Sequence, residues 1–425
     1  TLVPGVRMPD GAQQPAILKV TARLSNPTGN KASGILKYEI AGKTVSKTVV
    51  VNANSEQEIS LADLSLPNPK LWWPNGYGPQ NLYNLHIQFV INGSGLSDQQ
   101  KIKVGVRQIQ TEWNDHTSSR QVLVNGQKIF IKGGNWIISD AMLRLSDLRY
   151  DAEVRFHRDM NLNLIRVWGG AMIERPEFYD ACDKYGLLVF QDLWGSGDCN
   201  GRWQDPKKLD DQWARRKYPD NHHLFLESVK DQVKMVRNHA SFVKRRSGNE
   251  ITPPEDILAA LKDTIMPQLD NTRWFVDYSN SDSMSYNTLL GNGDGPYGIQ
   301  PLSVFWEHQT YPFNSEVGSV GLSDIEALKR FIPADQLNAP QYDESTHKTK
   351  TDEVWNYHKY IGYDTSINKY GEAKNAEDFA FKAQLVNYDQ YRGLMEGFSS
   401  HMWDWYTGAI IWKTQDPWPA MRGQM

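Results

Sequence analysis

Apolar and polar residues alternate with a period of two along the first part of the chain. The pattern is clear in Ile17-Leu18-Lys19-Val20-Thr21-Ala22-Arg23-Leu24 and in Thr44-Val45-Ser46-Lys47-Thr48-Val49-Val50-Val51, and it recurs in Asn84–Val90 and Lys101–Val104. Successive side chains of a strand point to opposite faces, so this alternation predicts half-buried strands. Turn-forming residues separate the runs at Pro27 to Asn30, Asn68-Pro69, Asn75-Gly76 and Asn92-Gly93. Short strands at such spacing predict an immunoglobulin-like β-sandwich over residues 1–108.

From about Glu112 the period changes, and short apolar runs alternate with helical stretches. Predicted strands lie at Lys128–Ile131, Leu164–Val167, Leu187–Phe190, Ser241–Arg246, Trp274–Val276, Ser303–Phe305, Pro312–Phe313 and Ala409–Trp412. Predicted helices lie at Asp151–Met160, Pro176–Tyr185, Leu224–Arg237, Glu255–Leu269 and Ala376–Ser399. In the third helix Leu224, Val229, Val233 and Val236 mark the apolar face. Eight strands alternating with helices predict a (β/α)8 TIM barrel over residues 109–425. A doubly wound sheet is the alternative, but no Gly-x-Gly-x-x-Gly turn follows the first strand. The connection between the sixth and seventh strands is too short for a helix, and the stretch from Val317 to Asn375 is long and irregular.

Composition narrows the function. The 425 residues are enough for two or three domains, and 40% hydrophobic with 23% charged residues is ordinary for a globular protein. A formal charge of -4 gives no basic face for nucleic acid. No apolar run reaches the roughly 18 residues of a membrane span. The chain opens at Thr1, which fits a removed leader and favours secreted or periplasmic placement without fixing the compartment. Strands at both ends leave flanking domains as an expectation. Cys182 and Cys199 form neither a metal-ligand pattern nor a disulfide framework. The excess is in aromatics, with 15 Trp, 19 Tyr and 14 Phe. Part of these fill the core; those beside glycine and polar residues at strand ends suit a cleft in which apolar sugar faces stack on flat rings.

Catalytic groups of barrel enzymes sit at the C-terminal ends of strands. Asp192, Glu250, Asp277, Glu307 and Glu316 meet that rule. Glu250, in Ser247-Gly248-Asn249-Glu250, follows the fourth strand, and Glu316, in Asn314-Ser315-Glu316-Val317-Gly318, follows the seventh. Retaining glycoside hydrolysis needs two carboxyls about 5–5.5 Å apart, one protonated to serve the leaving oxygen and one ionised to attack the anomeric carbon. Strands four and seven face each other across a barrel mouth. Asn249 is placed to bond the sugar 2-hydroxyl. The fourth strand also carries Lys244-Arg245-Arg246, so at least one cation must point into the barrel and needs compensation there.

Taken together, the motifs resemble glycoside hydrolase family 2, in its β-mannosidase and endo-β-mannosidase branch. The resemblance is carried by Leu71-Trp72-Trp73-Pro74-Asn75-Gly76-Tyr77-Gly78, Gly105-Val106-Arg107, Lys132-Gly133-Gly134-Asn135-Trp136 and Ile165-Arg166-Val167-Trp168-Gly169-Gly170. It continues through Gln191-Asp192-Leu193-Trp194, Asn249-Glu250, Ser315-Glu316, and Ile411-Trp412 with Asp416-Pro417-Trp418-Pro419. It implies a double displacement on a glycoside or oligosaccharide, with Glu316 as nucleophile and Glu250 as acid/base. It also implies that Arg166 holds Glu316 ionised. Trp168 and Trp412, with Trp136, Trp194 and Trp306, are the aromatic candidates for the sugar site. Asp192, Glu307 and Tyr297 are polar candidates, Asp192 and Glu307 also being suited to pairing with arginine. His239 is read as structural. Neither metal nor cofactor is expected, because two carboxylates suffice. An exo-β-glucosaminidase or β-galactosidase specificity is the alternative within the family; a non-catalytic carbohydrate-binding protein on the same scaffold is the alternative outside it.

Overall fold

The computed structural model describes residues 13–196, 219–279, 281, 283–285, 295–360 and 362–421. Cys199 lies outside these residues; Cys182 is buried as a free thiol.

The N-terminal strands form a sandwich. One layer is a four-stranded antiparallel sheet in the order Lys43–Val51, Ala32–Ile40, Leu82–Ile91, Gly95–Gly105. Against it lie the antiparallel pairs Thr21–Asn26 with Ser55–Ser60 and Ala16–Leu18 with Leu64–Leu66. Alternation does the work expected of it: Leu36, Tyr38 and Ile40 turn inward from one strand to meet Ile59, Leu85 and Val104. A three-stranded antiparallel sheet, Ile109–Asn114, Ser119–Val124 and Gln127–Ile129, follows.

Among the described residues, the barrel sheet has seven parallel strands. Their order is Trp274–Val276, Phe242–Arg246, Leu188–Asp192, Leu164–Val167, Ile131–Trp136, Gly408–Ile411 and Phe313–Val317. Two expected strands are corrected. The first barrel strand is Ile131–Trp136, while Lys128 belongs to the preceding hairpin. Gly133 and Gly134 disguise this strand, yet both are required: a Cβ at Gly133 would meet Leu164 Cδ2 at 2.8 Å, and one at Gly134 would meet Thr414 Cγ2 at 2.4 Å. The expected sixth strand, Ser303–Phe305, falls instead in a helical turn at Val304–Glu307. Pro301 opens this turn by accepting from Val304 N–H, and Phe305 packs where Gly397 of the long helix Ala376–Ser400 leaves room for it.

Other helices include Asp147–Asp159, Pro176–Tyr185, His222–Val236 and the run Glu255–Leu269, which contains a π-turn at Leu261–Ile265; short ones lie at Ile325–Leu328 and Glu353–Tyr357. In His222–Val236 the buried face starts at Phe225, not at Leu224, which is 61% exposed. The irregular stretch after Val317 has a core of its own, in which Val320, Leu328 and Trp355 pack on Phe379. No helix among the described residues is long and apolar enough to cross a membrane.

The three consecutive cations divide between the two faces of their strand. Arg245 points outward to Asp270. Lys244 points inward, its ammonium 4.7 Å from the ring centres of both Phe190 and Trp274 and 2.9 Å from Met284 Sδ. Arg246 lies over Phe190 with Nη1 3.9 Å from Asp192 Oδ1. Aromatic faces and one carboxylate thus offset part of the cost of burial. Burial still pushes the Lys244 amine well below its ordinary pKa, and nearby Arg246 adds to the shift.

Leu71–Gly78 is a clasp between sandwich and barrel. Trp72 is fully buried and donates from Nε1 to Asp183 O at 2.8 Å. Asn75 donates to Leu162 O at 2.8 Å and to Arg158 O at 3.1 Å.

Candidate active site

Arg166, fully buried on the second barrel strand, is the hub on which the strand ends converge. Its Nε and Nη2 donate to Asp192 Oδ2 at 3.1 and 2.6 Å, and Nη2 also reaches Asn249 Oδ1 at 2.6 Å. Nη1 donates to Glu316 Oε1 at 2.8 Å and to Asn135 Oδ1 at 3.1 Å. One guanidinium therefore ties together residues from the first, third, fourth and seventh barrel positions. Burial alone would lower its pKa, but the facing carboxylates of Asp192 and Glu316 outweigh that and raise it, so the charge is permanent.

Glu316 is buried and takes a second bond, from Tyr297 Oη to Oε2 at 3.2 Å. Its backbone N–H donates to Asn314 Oδ1 at 3.1 Å, which fixes the strand end. Glu250 follows Asn249 directly, is exposed, and has a left-handed backbone with φ of 57°. Its N–H donates to Ser279 Oγ at 3.0 Å. Left-handed geometry in a residue with a Cβ is uncommon and turns its side chain off the path that a continuing strand would give it. The strand exits beneath are packed too closely for side chains: a Cβ at Gly169 would lie 2.5 Å from Gly195 O and 3.2 Å from Asn249 N.

Trp168 and Trp412 stand edge to face, with ring centres 5.3 Å apart and planes at 71°. Gly170 makes room for the first ring, since a Cβ there would sit 2.0 Å from Trp168 Cη2. Both are only partly buried, as a stacking surface requires.

Three aromatic candidates do not join this group. Trp136 is fully buried in the core between sheet and helices, with Nε1 donating to Glu174 Oε1 at 2.7 Å and its ring against Phe178, so it has no face to offer a ligand. Trp194 packs edge-on to Phe225 at 5.8 Å, in the cluster under the His222–Val236 helix. Trp306 lies in the helical turn that replaced the sixth strand and packs toward Gly393 of the long helix. Among the polar candidates, Asp192 is consumed by Arg166, Asp277 pairs with Lys262 at 2.8 Å, and Glu307 is exposed. The grouping of His, Cys, Asp or Glu with ligand spacing found among the described residues is Asp180, Asp183 and His239. There His239 Nδ1 already bonds Asp183 Oδ2 at 2.8 Å, a structural contact.

Comparison with known proteins places these motifs. The model of "Glycosyl hydrolases family 2" matches residues 8–107, and that of "Glycosyl hydrolases family 2, TIM barrel domain" matches residues 116–292. The chain belongs to glycosyl hydrolase family 2. Within family 2, it is 41% identical over 406 residues to a mannosylglycoprotein endo-beta-mannosidase of Lilium longiflorum, an alignment that takes in 86% of this chain and 41% of that protein. It is 27% identical to an exo-beta-D-glucosaminidase of Amycolatopsis orientalis, over 96% of this chain and 40% of that one. Among solved structures, an exo-chitosanase of Amycolatopsis orientalis superposes with a TM-score of 0.79 at 25% identity, over 97% of this chain and 49% of its own. The chain thus spans less than half the length of these relatives.

Sequence reasoning missed two members of this family 2 site. Asn135 is fully buried at the end of the first barrel strand; besides receiving Arg166, it donates from Nδ2 to Ser315 O and Ile411 O, each at 3.1 Å. An amide that closes an apolar strand was the available signal. Ser279 holds the Glu250 backbone and had none, being one serine in a polar loop.

Proposed function

We propose that the chain carries the catalytic core of a retaining β-glycosidase acting on β-mannosidic linkages. Glu316 is the nucleophile and Glu250 the acid/base. The observation that carries this reading is the single guanidinium of Arg166 bonded both to Glu316 and to the residue adjoining Glu250. Arg166 and Tyr297 hold one carboxylate buried and hydrogen-bonded beside a permanent positive charge, which suits attack on an anomeric carbon. The other carboxyl is exposed, which suits proton exchange with a leaving oxygen and with water. Asn249 is oriented by Arg166 and donates from Nδ2 to Ser196 Oγ at 3.4 Å, and Trp168 with Trp412 supplies the apolar wall.

The mannosidic preference rests on the 41% identity to the lily endo-beta-mannosidase. A β-glucosaminidase is the second reading, favoured by the likeness to the exo-chitosanase fold. Hydrolysis of aryl β-mannoside against aryl β-glucosaminide and β-galactoside separates the two. A 2-deoxy-2-fluoro mannosyl fluoride should label Glu316, as peptide mapping would show; a label on another carboxylate would overturn the assignment. Glu316→Gln should abolish turnover. Glu250→Gln should slow substrates with poor leaving groups far more than activated aryl ones.

A further inference from the structure

His157 lies on the Asp147–Asp159 helix, outside the barrel, and is buried. Its Nδ1 is 2.7 Å from the carbonyl oxygen of Glu153, which can only accept, so Nδ1 carries a proton. Its Nε2 is 2.8 Å from Thr414 Oγ1. Desolvation by burial lowers the His157 pKa, which leaves the ring neutral with that single proton. Nε2 is then a bare acceptor that takes the Thr414 hydroxyl proton at 2.8 Å in competition with Asn135 O, which lies 3.1 Å from the same hydroxyl. Thr414 also donates its backbone N–H to Asn135 O at 3.2 Å, and its methyl presses on Gly134, where a Cβ would come within 2.4 Å. Two residues upstream is Trp412, and the side chain of Asn135 bridges Ser315 and Ile411 while receiving Arg166.

We infer that His157 is a positioning residue for the glycosidase site: by accepting the Thr414 hydroxyl it seats the loop after the last barrel strand on the end of the first. In doing so it sets Asn135, and through it the Arg166–Glu316 pair, and aims Trp412. The inference rests on the glycosidase reading for its kinetic consequence but not for its geometry. Three groups face the ring: the Trp136 indole at 5.7 Å, the Glu153 carbonyl and the Thr414 hydroxyl. The Glu153 carboxylate is itself occupied by Arg149 at 2.8 Å and Gln415 at 2.9 Å.

The test has a spectroscopic and a kinetic arm. In the ¹⁵N-histidine NMR spectrum of the full chain, His157 should show the neutral Nδ1–H tautomer, and Thr414→Val should shift its Nε2 resonance. An Nε2–H tautomer, or a spectrum indifferent to Thr414→Val, would overturn the inference whatever the enzyme does. Kinetically, Thr414→Val and His157→Leu should each lower kcat on aryl β-mannoside about tenfold, the worth of one hydrogen bond, with KM little changed. The double variant should lose no more than either single one. His157→Gln, which returns an acceptor near Nε2, should recover most of the rate. Additive losses, or no recovery, would equally refute it. A wild-type chain that fails to take the fluorosugar label would refute the glycosidase reading instead and leave the spectroscopic arm intact.

Discussion

Arg166→Lys keeps the buried positive charge and removes the fork. The native guanidinium makes five side-chain hydrogen bonds, two to Asp192 and one each to Asn249, Asn135 and Glu316. An ammonium has three protons on one nitrogen and cannot reach acceptors spread around a planar fork. At least two bonds are lost. Hydrogen bonds to charged groups contribute about 1.5–3 kcal/mol each, so the lower bound is about 3 kcal/mol. Where that loss falls on the geometry of Glu316 and Asn249, it raises the barrier, and about 3 kcal/mol corresponds to about a hundredfold in kcat/KM. The assay is steady-state hydrolysis of aryl β-mannoside, with the thermal midpoint measured alongside to confirm that the variant is folded. If kcat/KM stays within about threefold of wild type while the midpoint drops, Arg166 merely fastens strands together and the argument for a nucleophile held by its charge fails.

Lys244→Met should stabilise the chain by about 1–4 kcal/mol, because a thioether fits the cage of Phe190, Trp274 and Phe313 without a buried charge. The amine's folded-state pKa is depressed, so its contribution is favourable above the unfolded value of about 10.4 and is lost as pH falls through the folded one. The advantage of Lys244→Met in urea unfolding should therefore shrink as pH rises from 7 toward 10; a pH-independent difference would contradict it. Trp168→Ala should raise KM for aryl glycosides about tenfold with Tm nearly unchanged, since the ring is only partly buried. Trp136→Phe should do the reverse, lowering Tm by loss of the bond to Glu174 while KM holds. Asn75→Ala removes two bonds to barrel carbonyls and should lower the thermal midpoint without altering kcat.

Much of the architecture was legible because period and burial agree. Alternation marked the sandwich strands, and Pro176–Tyr185 and Trp274–Val276 were read to the residue. The sixth strand was misread because Ser303-Val304-Phe305 has strand-like composition, while its fate is decided by Pro301 and by a glycine on a helix almost a hundred positions away. The first strand was misplaced because Gly133 and Gly134 look like a turn; their need is set by Leu164 and Thr414, which only tertiary packing brings close. In the site, the pairing of Arg166 with Glu316 was legible through the motif resemblance, whereas position at a strand end was the guide to the aromatic candidates. It failed for Trp136 because a strand's last residue can face either the mouth or the helices, and a bare sequence does not say which side of the sheet it takes.

The clasp made by Trp72 and Asn75 grips Asp183 O, Arg158 O and Leu162 O, which lie where helices turn back toward the start of barrel strands. That is the floor of the barrel, whereas Arg166, Glu250 and Glu316 gather at its rim. Attachment and the proposed site therefore occupy opposite poles. Rim loops can lengthen, shorten or change chemistry without touching the bonds that join the two halves below.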